Sequence, residues 1–190
     1  MSAIHLRTER DNPPGWRQNE NSRGEGFILL NNGHIIVLKE KDPGLFIEFG
    51  PLNSVAEGLL PELIVQNEDR FPVSVSNGDL DYYPLKIWQM SDTATAMMKD
   101  FSELTVSPEG RVYILSQESN IVGLLEGRLK VDEEKATMRK YYKIPSSIDY
   151  PEGMSFNRDS VLYIGSDQKN LNSNNIYPVS YTHLTLPTKA

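Results

Sequence analysis

Three glutamates, Glu25, Glu103 and Glu152, are the side chains with which this sequence could do chemistry. Each stands at the start of a short apolar run. A second apolar run follows and closes on another polar cluster: Lys39-Glu40-Lys41 after Glu25, Ser116-Gln117-Glu118 after Glu103, and Ser166-Asp167-Gln168 after Glu152. Carboxylates converging from separate loops make an oxygen-rich site, which suits a hard cation, and Ca2+ is the expected ligand. Glu25 and Glu152 hold the same position in a repeat, and Glu103 follows that position by one residue. Glu40, Glu118 and Asp167 are further candidates on the same loops. For a phosphate ester, Lys39, Lys41 and Lys169 would offset the ligand's charge. The competing reading makes all of these solvated loop residues and turn caps.

Composition removes other chemistry. The chain has no cysteine, which excludes disulfides, thiolate metal sites and cysteine nucleophiles together. No G-x-S-x-G elbow is present, so a hydrolase serine has no support. His5 and His34 are too few for a histidine-rich metal site. His34 lies in a strand-like run and is expected to be a satisfied strand residue rather than a base. Ser76-Asn77-Gly78-Asp79-Leu80-Asp81 suggests a calcium loop but lacks the closing glutamate, so a hairpin turn is expected there. Trp16 and Trp88 read as packing residues. With 19 Lys and Arg against 26 Asp and Glu, net −7, and no basic cluster, the chain is a poor partner for nucleic acid or anionic lipid. The longest aliphatic run, Ile35 to Leu38, is far short of the roughly 20 residues of a spanning helix.

The elements that must position the carboxylates form a repeat. The segments 25–40, 102–117 and 152–167 align without gaps, the second 77 residues after the first and the third 50 after the second. Each reads as a short apolar strand, a tight polar turn, a second apolar strand and a polar loop. The turns are Asn31-Asn32-Gly33, Ser107-Pro108-Glu109-Gly110 and Asn157-Arg158-Asp159-Ser160, rich in residues that pre-set turn geometry. The second strands are nearly continuous runs of β-branched, aromatic and aliphatic residues, the signature of a strand covered on both faces.

Antiparallel hairpins are therefore predicted for Phe27–Leu30 with His34–Leu38, Leu104–Val106 with Arg111–Leu115, and Met154–Phe156 with Val161–Ile164. Leu45–Phe49 and Ile121–Leu125 read as third strands and Ala136–Ile144 as a fourth, in competition with a short helix from Asp132. A period near 50 residues fits one blade of a β-propeller, and the longer first spacing implies an insertion within 51–100. The insertion carries a candidate hairpin, Val73 to Ser76 followed by Asn77-Gly78, and a strand from Tyr83 to Met90. In such a hairpin the start of strand one and the end of strand two share an edge, which gathers the polar clusters on one face.

Two repeats resemble a known blade type. Asp100-Phe101-Ser102-Glu103-Leu104 with Gly110-Arg111-Val112-Tyr113-Ile114-Leu115-Ser116, and Pro151-Glu152-Gly153-Met154-Ser155-Phe156 with Val161-Leu162-Tyr163-Ile164, are similar to blades of the phytase-like and SdiA-regulated propeller proteins. The resemblance implies an all-β fold, here a partial β-propeller of about three blade-like units. It also implies a metal-dependent hydrolase of esters or phosphoesters. The alternative is a non-catalytic propeller that binds a small-molecule or protein ligand.

The expected organisation is an N-terminal segment at 1–22, partly irregular, then an incomplete propeller at 23–177 with units at about 23–99, 100–148 and 149–177. The string Val179 to Ala190 resembles the in-frame translation of a transposase-type sequencing adapter. It is expected to make few contacts and to have no core role. The third unit is then expected to stop after its first hairpin. The N-terminus lacks the apolar stretch of a secretory signal, which on its face is cytoplasmic. Proteins of the resembled family are often exported, so the compartment stays open.

Overall fold

The computed structural model describes residues 3–9, 12–18, 23–66, 71–73, 78–167 and 175–179. The candidate hairpin turn at Ser76-Asn77, Lys169, and the tail from Ser180 onward lie outside the described residues. Among the described residues no helix is long and apolar enough to cross a membrane.

The chain is nearly all β and divides into two compact units, Met1–Met90 with Arg128–Ala136, and Ser91–Gly127 with Thr137–Ala190. The first unit holds one sheet. β2 (Gly24–Leu29), β3 (Ile35–Lys39), β4 (Leu45–Pro51) and β5 (Leu80–Met90) run antiparallel in sequence order. β1 (Ile4–Leu6) adds in parallel to the start of β5, and β9 (Lys135–Ala136) in parallel to its end. All five residues of β3 are buried, as the continuous apolar run requires. Trp16, Val37, Ile47, Phe49 and Tyr82 form the core, with the Trp16 and Phe49 rings 6.0 Å apart. Trp88 is fully buried and its indole N–H donates to Lys130 O at 2.8 Å. The repeat alignment assigns Arg128–Ala136 to the second repeat. The structure builds it into the first unit, through the Leu59–Leu129 bridge, β9 and the Lys86–Glu134 ion pair at 2.8 Å.

The second unit holds two sheets. β6 (Glu103–Val106), β7 (Val112–Ser116), β8 (Ile121–Leu125) and β10 (Met138–Lys143) make a four-stranded antiparallel sheet. β11 (Pro151–Phe156), β12 (Leu162–Ser166) and β13 (Ile176–Val179) make a three-stranded one. All three predicted hairpins form, and strands appear at 121–125 and 138–143 where the pattern places them.

The two sheets pack through Tyr113, Leu115, Val122, Leu124 and Tyr142 against Met154, Leu162, Ile164 and Val179, with the Tyr113 and Phe156 rings 5.0 Å apart. Each fully buried aliphatic side chain contributes about 1.5–3 kcal/mol, so this shared face holds the two repeats together. A polar tie adds to it between the hairpin turns. Glu109 accepts from Ser107 Oγ at 2.7 Å and from Ser160 Oγ. These hydroxyls, Ser160 first, hold the Glu109 carboxyl below the usual carboxylate range.

Three findings depart from the sequence reading. A short helix, α1 (Asp92–Met97), lies within the insertion, capped by Ser91 Oγ accepting from Ala94 N at 3.2 Å. Ser91-Asp92 before Ala94 is an N-cap signal that the sequence carries. Next, the third repeat continues beyond its first hairpin, because β13 pairs with β12. Its last residue, Val179, the first of the supposed adapter string, is 3% exposed and belongs to the core, against the expectation that the string has no core role. Antiparallel register is the cause: placing Tyr177 opposite Ile164 brings Val179 opposite Leu162, on the buried face. Ser166 N donates to Asn175 O at 2.9 Å, so alternate pairs turn Ile176 and Pro178 outward from β12. Proline has no N–H to offer on that side, which blunts the edge against adding a further strand.

Candidate functional site

The polar edge of each hairpin is built on one buried position. Lys39, Ser116 and Ser166 are equivalent in the repeat, all are buried, and each donates from its side chain into a neighbouring turn. Ser116 Oγ donates to Asp100 Oδ1 at 2.5 Å, and Ser166 Oγ donates to Asp149 O. Lys39 Nζ donates to Lys41 O and, at 3.1 Å, to Pro43 O. Burial pushes the Lys39 ammonium below its ordinary value, against the pull of Asp42 and Glu40.

In the second repeat this position works with Asp100, itself 1% exposed, which also accepts from Glu118 N at 3.1 Å. Ser102 Oγ accepts from Gln117 N at 3.2 Å, Ser119 Oγ from Lys99 N at 3.0 Å, and Ser116 Oγ from Ser119 N at 3.3 Å. The D-x-S and L-S residues of the blade motif therefore shape a turn, Gln117–Asn120, and do not themselves reach solvent chemistry. Asn120 closes it with φ +52, a left-handed conformation that asparagine tolerates better than most residues.

That turn faces the entry to β11 across a cleft of about 490 Å3, lined by Gln117, Glu118, Asn120, Asp149 and Tyr150. Tyr150 is 67% exposed and has φ +50. Its carbonyl accepts from Asp167 N at 3.0 Å, which pins this backbone while leaving the phenol free to face solvent. On one side of the cleft, Gln117 Nε2 donates to Glu152 Oε1 at 3.2 Å. The arrangement offers two carboxylates, two amides and an aromatic face to whatever enters.

The predicted candidates divide between the two units. In the second, Glu152 is exposed and bonded to Gln117, Glu118 lines the cleft, and Asp167 is exposed beside Tyr150. Glu103 is half-buried and its Oε1 accepts from Leu104 N at 2.8 Å. In the first unit, Glu25 is exposed at the start of β2 and lies near Glu40 and Lys41, as the shared hairpin edge implies. Desolvation and the Glu40 charge raise the Glu25 carboxyl above its ordinary value, and Lys41 opposes them. Lys41 Nζ pairs with Glu40 Oε1 at 3.1 Å.

The ladder shifts register across Glu25 and again across Glu152, so both equivalent glutamates are β-bulge residues. Bulges re-aim a side chain at a sheet edge. Lys39, placed among the ligand residues by sequence, is instead inside, where an ammonium can be satisfied by carbonyls at close range. Among the described residues no three His, Asp, Glu or Cys side chains come together as metal ligands.

Gln117, Asn120, Asp149 and Tyr150 were not among the candidates. The one signal for them is positional: Asp149-Tyr150 sits at the repeat position of Lys99-Asp100, at the edge where the clusters gather. His34 is hydrogen-bonded, as expected, but it sits one residue before β3 rather than within the strand. Its partner, Glu48, was not foreseen: Nδ1 lies 2.7 Å from Glu48 Oε1, with the two side chains 6% and 0% exposed.

A family model described as SdiA-regulated matches residues 18–171 of the chain. No curated protein matches it.

Proposed function

The chain belongs to the SdiA-regulated family, and from that premise we propose that it is a ligand-binding propeller-type protein whose binding surface includes the cleft of Gln117, Glu118, Asn120, Asp149 and Tyr150. The cleft carries the reading: it is concave, falls in the volume range of small-ligand sites, and lies on loops held by a rigid sheet edge. A thermal-shift screen of small molecules tests it, comparing the wild type with Glu118→Trp, which would fill the cleft from an exposed position. The expected hit raises the wild-type melting temperature by mass action and loses its effect in the variant. Hits that stabilise both proteins equally would end this reading.

The second reading is metal-dependent hydrolysis of an ester or phosphoester, with Glu25 and Glu40 as the carboxylates that would meet Ca2+. The repeated bulge at Glu25 and Glu152, and the carboxylate pair Glu25 and Glu40, favour it. A carboxyl raised on folding contributes stability that is present in acid and lost as pH rises through its folded value. Glu25→Gln is therefore expected to gain stability over wild type as pH rises from acid to neutral. The gain is below about 1 kcal/mol, because the group is largely exposed. Ca2+ should stabilise the wild type at neutral pH and leave Glu25→Gln unmoved. Equal calcium shifts in both, or none in either, would remove Glu25 from any metal site.

A further inference from the structure

We infer that the cleft takes an organic cation, an ammonium group seated against the Tyr150 ring with Glu118 and Asp149 as counter-charges. This rests on the binding role proposed above for the same cleft. Three observations lead to it. Among the described residues none that lines the cleft is basic, while two are carboxylates, so an anionic ligand would enter against the local field. The chain's net charge of −7 acts in the same direction at longer range.

Tyr150, 67% exposed, offers an aromatic face, and cations are attracted to the negative face of such a ring. Its carbonyl is bonded to Asp167 N, so the ring's base is fixed before a ligand arrives. The third observation separates an organic cation from a metal ion. The cleft, about 490 Å3, is far larger than a bare ion needs, and no set of three ligating side chains converges among the described residues. The amides of Gln117 and Asn120 would hydrogen-bond the polar remainder of the ligand, Gln117 with its carbonyl or its second N–H, the first being engaged with Glu152.

The experiment uses a matched pair of probes on the full chain: choline, and its neutral carbon isostere 3,3-dimethylbutan-1-ol. Ca2+ alone and glucose complete the set, all read by isothermal titration calorimetry. Choline is expected to bind at least about tenfold more tightly than the isostere, and more weakly as salt is added. Tyr150→Leu should weaken choline by about threefold to tenfold, the range of a cation–aromatic contact. Asp149→Asn should weaken it similarly, since the Asp149 carbonyl that holds Ser166 is retained. Melting temperatures of both variants without ligand show whether they fold.

Equal binding of choline and the isostere overturns the inference, as does choline binding that neither substitution changes. No choline binding up to about 20 mM overturns it too, that being weaker than any useful site. Glucose binding that Glu118→Trp abolishes, with no choline binding, removes the cation and leaves the ligand-binding reading standing. Probes whose binding Glu118→Trp does not alter remove both.

Discussion

Replacing Glu48 by alanine is expected to cost the first unit about 3–5 kcal/mol, because it leaves several buried polar groups without their partner, each at about 1–3 kcal/mol. The Glu48 side chain is completely buried, accepts from Glu57 N at 3.0 Å and Gly58 N at 2.9 Å, and hydrogen-bonds the His34 ring at Nδ1 over 2.7 Å. The Asn32 side chain carbonyl takes the His34 backbone N–H at 2.9 Å, which fixes the backbone from which the ring extends. Gly50 is part of the same packing, because a Cβ there would lie 2.8–2.9 Å from the His34 ring.

Alanine at position 48 strands two backbone N–H groups and an imidazole, each unsatisfied donor costing about 1–3 kcal/mol. Glu48→Gln keeps one acceptor oxygen and should cost less. Urea unfolding measures the loss, and amide exchange at Glu57 and Gly58 locates it. A Glu48→Ala loss below about 1 kcal/mol would mean that the network is replaced by water rather than broken.

Gly58→Ala is the second large effect, expected at about 2–5 kcal/mol, the sum of a left-handed backbone penalty and local overpacking. Gly58 has φ +80, and a Cβ on it would lie 2.2 Å from Leu129 O. That carbonyl cannot retreat, because Leu59 N donates to it at 3.0 Å and Leu129 N returns a bond to Leu59 O at 3.1 Å. Gly127→Ala is the control. Gly127 has φ +63 but nothing within 4 Å of its would-be Cβ, so only the backbone penalty of about 1–2 kcal/mol is expected. If the two substitutions cost the same, the close approach of Leu129 is not real. Glu48 and Gly58 share a hydrogen bond, so their effects should not add, and a double-mutant cycle would show the coupling.

The sequence by itself determined the hairpins. Period, turn chemistry and continuous apolar second strands are local, and local information suffices to pair β2 with β3, β6 with β7 and β11 with β12. Gly33 and Gly110 behave as their type allows, taking positive φ, while Ser160 takes positive φ against its type. It also determined that the polar clusters share one edge of each hairpin, which follows from antiparallel geometry alone.

The partners of the buried polar groups were decided by tertiary structure. Lys39 aligns with two serines, and as a charged residue next to Glu40 and Lys41 it looks like a ligand; only the turn folded back over β3 makes it a buried donor. Asp100 belongs to a motif, but its task depends on Ser116 and Glu118 being brought to it across the hairpin. His34 and Glu48 meet because strands β3 and β4 pair. No residue type announces which buried histidine will find a carboxylate.

Segment 128–136 is a further case. By sequence it falls within the second repeat unit, yet it completes the first unit's sheet, because the end of β5 offers open backbone groups that β9 satisfies. The cleft was the least legible. Its walls come from a turn and a strand entry in different sheets, and Tyr150 enters it through a left-handed backbone that side-chain types do not encode.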